Sequence, residues 1–209
     1  LYHEKTWPDG TKCEFNFEGD MWRMEDNDFA LSDVDGDGEE ELIVMFSTST
    51  MGGMEGRVYG YDTETESCYL ELQEWPGFCF WDNGVVEVML SHNHGPACES
   101  LWPFSIYKYD AAEKRYVYQG TAYGFDKELS EELAEEFGED YTGKYPEEVD
   151  EHGYGTVYYI MTDGYSEENP ISREAYEEWL QQYYNGAVTL TLPYWKMTEQ
   201  NIWAINVYE

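Results

Sequence analysis

Asp33, Asp35 and Asp37 stand at alternate positions in D-V-D-G-D-G-E-E-E (33–41), with Gly36 and Gly38 between and after them. Alternate side chains on a curling chain converge on one point, and glycine permits the tight bend. The carbonyl of Glu39 and the carboxylate of Glu41 follow at the seventh and ninth positions of the same run. Every one of these groups offers a hard oxygen, and the loop holds no sulfur or imidazole. That donor set suits Ca²⁺ rather than Zn²⁺ or Cu²⁺. Mg²⁺ suits it less, because it demands a tighter octahedron and keeps its waters. Asp33, Asp35, Asp37, Glu39 and Glu41 are therefore expected to hold calcium.

Electrostatics points the same way. Two unit charges about 4 Å apart repel by about 4 kcal/mol at an effective dielectric of about 20. Facing carboxylates contain several such pairs, and no Lys or Arg lies between Met24 and Arg57 to offset them. A divalent cation converts the repulsion into attraction.

Other residue groups could do chemistry as well. S-H-N-H-G (91–95) sets His92 and His94 two apart, so on a strand both point to one face, with Cys98 nearby. That could be a transition-metal site or a general base, but a two-His spacing alone better fits a strand-to-loop junction whose imidazoles bond the backbone, since zinc wants three or four ligands. Trp75, Trp81 and Trp102, with Tyr107, could present rings for sugar stacking, or could build an aromatic core, since large aromatics are highly buried on average. No carboxylate pair for glycoside hydrolysis can be singled out among 45 acids. No G-x-S-x-G motif occurs.

The elements that must position these groups read mostly as strands. Leu42–Phe46 is an apolar strand, and S-T-S-T-M-G-G-M-E-G (47–56) reads as a flexible loop. Short strands follow at 57–61, 68–72, 78–81, 85–90, 104–109 and 115–120, separated by turn residues. Among these, D-N-G (82–84) signals a tight hairpin. The regular spacing predicts an antiparallel meander. Two helices are expected in the C-terminal half. One covers about 127–137, where Leu129, Leu133 and Phe137 share a stripe. The other follows Ser172 as N-cap, with an Ile171–Tyr176 staple and a buried face of Tyr176, Trp179, Leu180 and Tyr183. A-V-T-L-T-L (187–192) alternates cleanly and predicts one more strand, with Val188, Leu190 and Leu192 inward.

D-E-H-G-Y-G-T-V-Y-Y-I-M (150–161) echoes the acidic loop. The first Asp and both glycines coincide, while His152, Tyr154 and Tyr158 replace the oxygen ligands. It reads as a turn of the same geometry without an ion.

Composition bounds the rest. The chain has 209 residues and 42% hydrophobic content, enough for one folded domain over residues 1–209. The net charge is −34, from 11 basic and 45 acidic residues. A nucleic-acid binder needs a basic footprint, so nucleic acid and anionic membrane surfaces are excluded as expected partners. No apolar run reaches the roughly 18 residues of a membrane span. The opening L-Y-H-E-K carries no signal peptide and reads as a chain trimmed of an export segment. Cys13, Cys68, Cys79 and Cys98 allow three pairings. A Cys68–Cys79 bridge and free thiols are both open.

D-x-D-x-D-G-x-x-E running into L-I-V resembles the calcium loops of FG-GAP and VCBS-type repeats, over residues 29–46 only. It is not an EF-hand, whose twelfth position is a bidentate Glu; here it is Val44. More broadly, F-A-L-S-D-V-D-G-D-G-E-E-E-L-I-V, V-Y-G-Y-D, D-N-G-V-V, S-H-N-H-G, W-P-F-S-I-Y-K-Y-D and V-D-E-H-G-Y-G-T-V-Y-Y-I resemble a family of uncharacterised exported proteins and lipoproteins of Gram-positive gut bacteria. That resemblance implies export to the cell surface or extracellular space, calcium, and a lipid anchor outside this chain; it implies no catalysis.

The expectation is thus an α+β protein, a β-rich antiparallel meander with two helices in the C-terminal half. It would bind calcium structurally and recognise an extracellular ligand, glycan or protein. A carbohydrate-binding module using surface aromatics and a glycan or peptidoglycan hydrolase using unassigned carboxylates are the alternatives.

Overall fold

The computed structural model describes residues 4–6, 12–14, 24–49, 53–75, 77–90, 102–126, 156–162 and 170–205. Among them the fold is α+β and β-rich, and every strand pairing is antiparallel. The strands are β1 (Glu4–Thr6), β2 (Lys12–Glu14), β3 (Asp28–Ser32), β4 (Glu41–Ser49), β5 (Gly53–Asp62), β6 (Ser67–Glu74), β7 (Phe78–Trp81), β8 (Val85–Met89), β9 (Phe104–Asp110), β10 (Arg115–Asp126), β11 (Thr156–Met161) and β12 (Trp195–Lys196). Among the described residues two helices lie in the C-terminal half, α1 (Arg173–Tyr184) and α2 (Glu199–Ile205), and a 3₁₀ turn covers Met24–Asp26.

Two five-stranded sheets carry the architecture, in the orders β12-β3-β4-β5-β6 and β11-β10-β9-β8-β7; β1 and β2 pair separately. Short turns join β4 to β5, β5 to β6, β7 to β8 and β9 to β10, and a hairpin can only return antiparallel. The sheets pack face to face. Ala30, Val34, Ile43, Met45, Val58 and Leu72 from the first meet Phe80, Val86, Val88 and Tyr116 from the second in one core. Ile43, Val58, Val86 and Ile106 are wholly buried. Each such side chain contributes about 1.5–3 kcal/mol on leaving water. On another part of the second sheet Ala122 and Ile160 pack with Tyr176, Trp179 and Leu180 of α1.

α1 forms as its sequence predicts. Ser172 is extended, and its hydroxyl accepts a hydrogen bond from the Ala175 amide at 3.2 Å. Ile171 and Tyr176 pack in the same cluster. Ser172→Ala removes the cap and should lower the unfolding free energy by about 1 kcal/mol. Urea unfolding measures it as a lower midpoint at unchanged slope; an unchanged midpoint would show that the cap contributes nothing.

Several expectations need correction. The 47–56 segment is not a long loop: β4 runs to Ser49 and β5 starts at Gly53. Residues 187–192 form no continuous strand. They touch β7 through a single bridge, Trp81 to Thr189, with Leu190 donating its amide to the Phe80 carbonyl at 2.8 Å. Leu190 and Leu192 do pack on the core, but Val188 is exposed. An edge position explains this, since alternation buries a face only where a second layer covers it. The helix expected at 127–137 and the 150–155 turn lie outside the described residues, whereas the strand expected after that turn is β11. α2 carries no clear periodic signal and was not expected. No helix among the described residues is long and apolar enough to cross a membrane.

Candidate metal centre

The acidic loop joins two paired strands, with Ser32 opposite Glu41 and Leu31 opposite Leu42. The connection therefore starts and ends at fixed points on one sheet. Inside it, backbone amides turn towards the carboxylates. Gly36 and Gly38 donate to the two oxygens of Asp33 at 2.8 and 3.1 Å. Asp37 donates to Asp35 Oδ1 at 2.9 Å, and Glu39 to Asp37 Oδ1 at 2.8 Å. Short Asp side chains favour such local bonds. Gly36 and Gly38 adopt φ of 86° and 96°, as the tight curl requires.

The second sheet fixes the loop from outside. Val34 is wholly buried, and the Tyr116 hydroxyl donates to its carbonyl at 2.9 Å. The β7–β8 turn closes against the loop. A Cβ at Gly84 would sit 2.5 Å from the Asp35 carbonyl oxygen. The D-N-G signal thus makes the hairpin and also leaves room for the acidic loop.

Two groups of carboxylates result, and they share Asp35. Oxygens of Asp33, Asp35 and Asp37 lie within 4.8 Å of one another; so do oxygens of Asp35, Glu41 and Glu71. These acidic groups could hold a metal ion. The structure therefore gathers all four of the expected side chains, Asp33, Asp35, Asp37 and Glu41, but divides them. Asp33 and Asp37 are the outer members, and Glu41 turns inward, where its Oε2 accepts from the Val34 amide at 2.9 Å. The Glu39 side chain is exposed and belongs to neither group.

Glu71, on β6, escaped the sequence reading. A β-bulge explains why. Val58 pairs with Leu72 and Tyr59 with Leu70, so Glu71 is the extra residue. A bulge re-aims the side chain and breaks alternation. Glu71 and Leu72 are consecutive, yet only 4% and 5% exposed. Gly60 makes space: a Cβ there would meet Glu71 Oε1 at 2.4 Å and the Tyr69 ring at 2.5 Å. The only signal in the sequence is a Glu set between two leucines, Leu70 and Leu72.

The inner group is electrostatically uneasy. Burial, then the charges of Glu41 and Asp35, pushes Glu71 up to about 8. Burial likewise raises Glu41 to about 7, with Asp35 and Asp37 adding to it. Asp35 is also raised, chiefly by burial. The Tyr69 and Tyr109 hydroxyls face Glu71 and Asp35 and partly offset this. Even so, no hydrogen bond of sound geometry reaches either oxygen of Glu71 or Asp35 Oδ2. A buried oxygen left without a partner costs about 1–3 kcal/mol, more when charged.

The three tryptophans expected as ligand-binding residues do not come together. His92, His94 and Cys98 lie outside the described residues. Trp75, Trp81 and Trp102 are each partly buried and form no exposed row. Trp81 packs on Tyr184 with ring centroids 4.4 Å apart, and Trp102 Nε1 donates to the Leu90 carbonyl at 2.6 Å. Cys68 and Cys79 are free, on different sheets. Among the described residues the exposed aromatics are instead Tyr61, Tyr194, Trp195 and Trp203.

A cavity of about 200 Å³ opens beside Trp75, lined also by Glu74, Ser105, Tyr107, Tyr118 and Thr121. Its polar groups satisfy one another. Tyr107 donates to Glu74, Ser105 bonds Thr121 at 2.7 Å, and Tyr118 bonds Thr121 at 2.8 Å. It is smaller than the roughly 300–1,000 Å³ of most small-molecule sites. None of the inner carboxylates lines it.

The chain matches no family model, and no curated protein or solved structure shows significant similarity to it.

Proposed function

We propose that this is an exported cell-surface or extracellular protein that binds calcium structurally through its acidic loop and does no catalysis. One observation carries the reading: buried carboxylates of the loop converge while Asp35 Oδ2 has no hydrogen-bond partner. Hard oxygens in an irregular shell favour Ca²⁺, and the loop's likeness to FG-GAP and VCBS repeats supports the same ion. Asp33, Asp35, Asp37 and Glu41 would supply side-chain oxygens, and Glu39 its carbonyl. Bound there, the ion would fix the β3–β4 connection against the β7–β8 turn.

Burial favours a structural role over hydrolysis. Asp35 and Glu41 are 8% and 3% exposed, too enclosed for a sugar ring to reach between them. Recognition of a glycan or protein ligand would fall to exposed aromatics such as Tyr194, Trp195 and Trp203, rather than to the partly buried Trp75, Trp81 and Trp102.

Scanning calorimetry with calcium and with EDTA tests the reading. Calcium at about a hundredfold its Kd should add about 2.7 kcal/mol of stability. Asp35→Ala should abolish most of that gain, because Asp35 belongs to both carboxylate groups. A melting temperature unmoved by EDTA would refute structural calcium.

A further inference from the structure

We propose that Glu71 is a ligand of the cation, so that the ion joins the acidic loop and β4 to β6 instead of resting in the loop alone. This rests on the cation-binding reading above and extends it to a residue outside the acidic loop.

Three independent observations support it. Glu71 is 96% removed from solvent by its 4% exposure, and neither carboxylate oxygen has a hydrogen-bond partner. The β-bulge between the Val58 and Tyr59 pairings turns this one side chain inward at the cost of ladder regularity. Gly60 then leaves the volume that the carboxylate fills. An apolar residue at position 71 would suit a plain core far better, since buried charge without a partner is destabilising. Oxygens of Glu71, Asp35 and Glu41, one from each, lie within 4.8 Å of one another, and Asp35 Oδ2 is likewise unpartnered. The missing partner must satisfy several anionic oxygens at once from one small volume. A divalent cation of the hard, oxygen-seeking class does this, with coordination distances of about 2.3–2.6 Å for Ca²⁺.

Within this seat, Glu41 is held by the Val34 amide and Asp35 by the Asp37 amide through Oδ1. Asp35 Oδ2 is left without a partner and open to the ion. The Tyr69, Tyr109 and Tyr116 hydroxyls stand around the same carboxylates. These rings place sensitisers beside the ion, so terbium bound there should luminesce on excitation of tyrosine.

Isothermal titration of the folded chain with calcium chloride decides the matter, comparing wild type with Glu71→Gln. The amide keeps the shape but removes the charge, and affinity should fall at least about tenfold, or 1.4 kcal/mol. Glu71→Leu guards against misfolding of the first variant. It should melt higher than wild type in EDTA and lose most of the calcium-induced shift. Wild-type affinity in Glu71→Gln, or an undiminished calcium shift in Glu71→Leu, would overturn the role of Glu71 and leave a loop-only site. No binding of calcium or terbium by wild type would refute the cation site itself, and the Glu71 role with it.

Discussion

In EDTA, the protein should lose stability as the pH rises from about 4.5 to about 8, and saturating calcium should reverse the trend. The inner carboxylates set the window. Glu71 moves from its usual 4.5 to about 8 in the folded state, and Glu41 from 4.5 to about 7. Between these limits the folded chain holds more protons than the unfolded one. Stability then falls as pH rises. The contribution is complete below pH 4.5, where both states are protonated, and is lost by about pH 8. One pKa unit corresponds to about 1.4 kcal/mol. The two groups raise each other, so their shifts are not additive, and the expected loss is on the order of 4 kcal/mol.

The charged and titratable neighbours of the pair do not alter the sign. Tyr69, Tyr109 and Tyr116 have pKa values raised by burial, so they stay neutral throughout this window. Lys114 stands over the Tyr69 ring, 5.2 Å from its centroid, and stays charged. Calcium binds the ionised carboxylates, so its stabilising effect grows as protons leave. The gap between the calcium and EDTA melting curves should therefore widen from pH 5 to pH 8. The net charge of −34 also disfavours the compact state at high pH. Glu71→Gln controls for this, and its EDTA profile should be flatter than that of wild type. Parallel profiles for the two proteins would show that Glu71 ionises without consequence for folding.

Gly84→Ala should be among the most damaging single-methyl additions to this chain. Gly84 has φ of 73°, where an L side chain costs about 1–2 kcal/mol. In addition, the new Cβ would lie 2.5 Å from the Asp35 carbonyl oxygen. That oxygen is backbone, so the whole acidic loop or the whole β7–β8 turn must move. Together the two effects should cost about 3 kcal/mol or more, lowering the melting temperature by about 6–12 °C. Moving the loop also displaces Asp35, so calcium affinity should fall although no ligand is changed.

Gly186→Ala provides the comparison. Its φ is 76°, but a Cβ there meets nothing within 4 Å. Only the backbone penalty remains, about 1 kcal/mol, with calcium affinity unchanged. Thermal melts and calcium titrations of both variants measure the difference. Equal losses would mean that the turn does not support the loop.

Local physics made much of this molecule legible in advance. The D-N-G turn, the Ser172 cap and the strands from Arg57 to Tyr109 depend on neighbours close in sequence. The same holds for Asp33, Asp35 and Asp37, whose spacing and intervening glycines curl the chain upon itself. Less local features were missed. Gly, Ser and Thr at 47–56 suggested a loop, but pairing with neighbouring strands extended β4 and β5 through most of it. Val188 alternates with Leu190 and Leu192, yet the edge of the second sheet leaves it uncovered. The three tryptophans suggested a sugar platform, whereas Trp81 found Tyr184 of α1, more than a hundred residues away.

By itself, then, the sequence determined an antiparallel β-rich chain and a loop crowded with oxygen ligands, because turns, caps and Asp spacing act over a few residues. Tertiary structure decided where that charge is buried. It split the carboxylates into an outer and an inner group, and through a bulge opposite the Val58–Tyr59 step it brought Glu71 from β6 to Asp35 and Glu41. No periodic pattern encodes such a meeting, because it depends on register between strands and on the volume left where two sheets close.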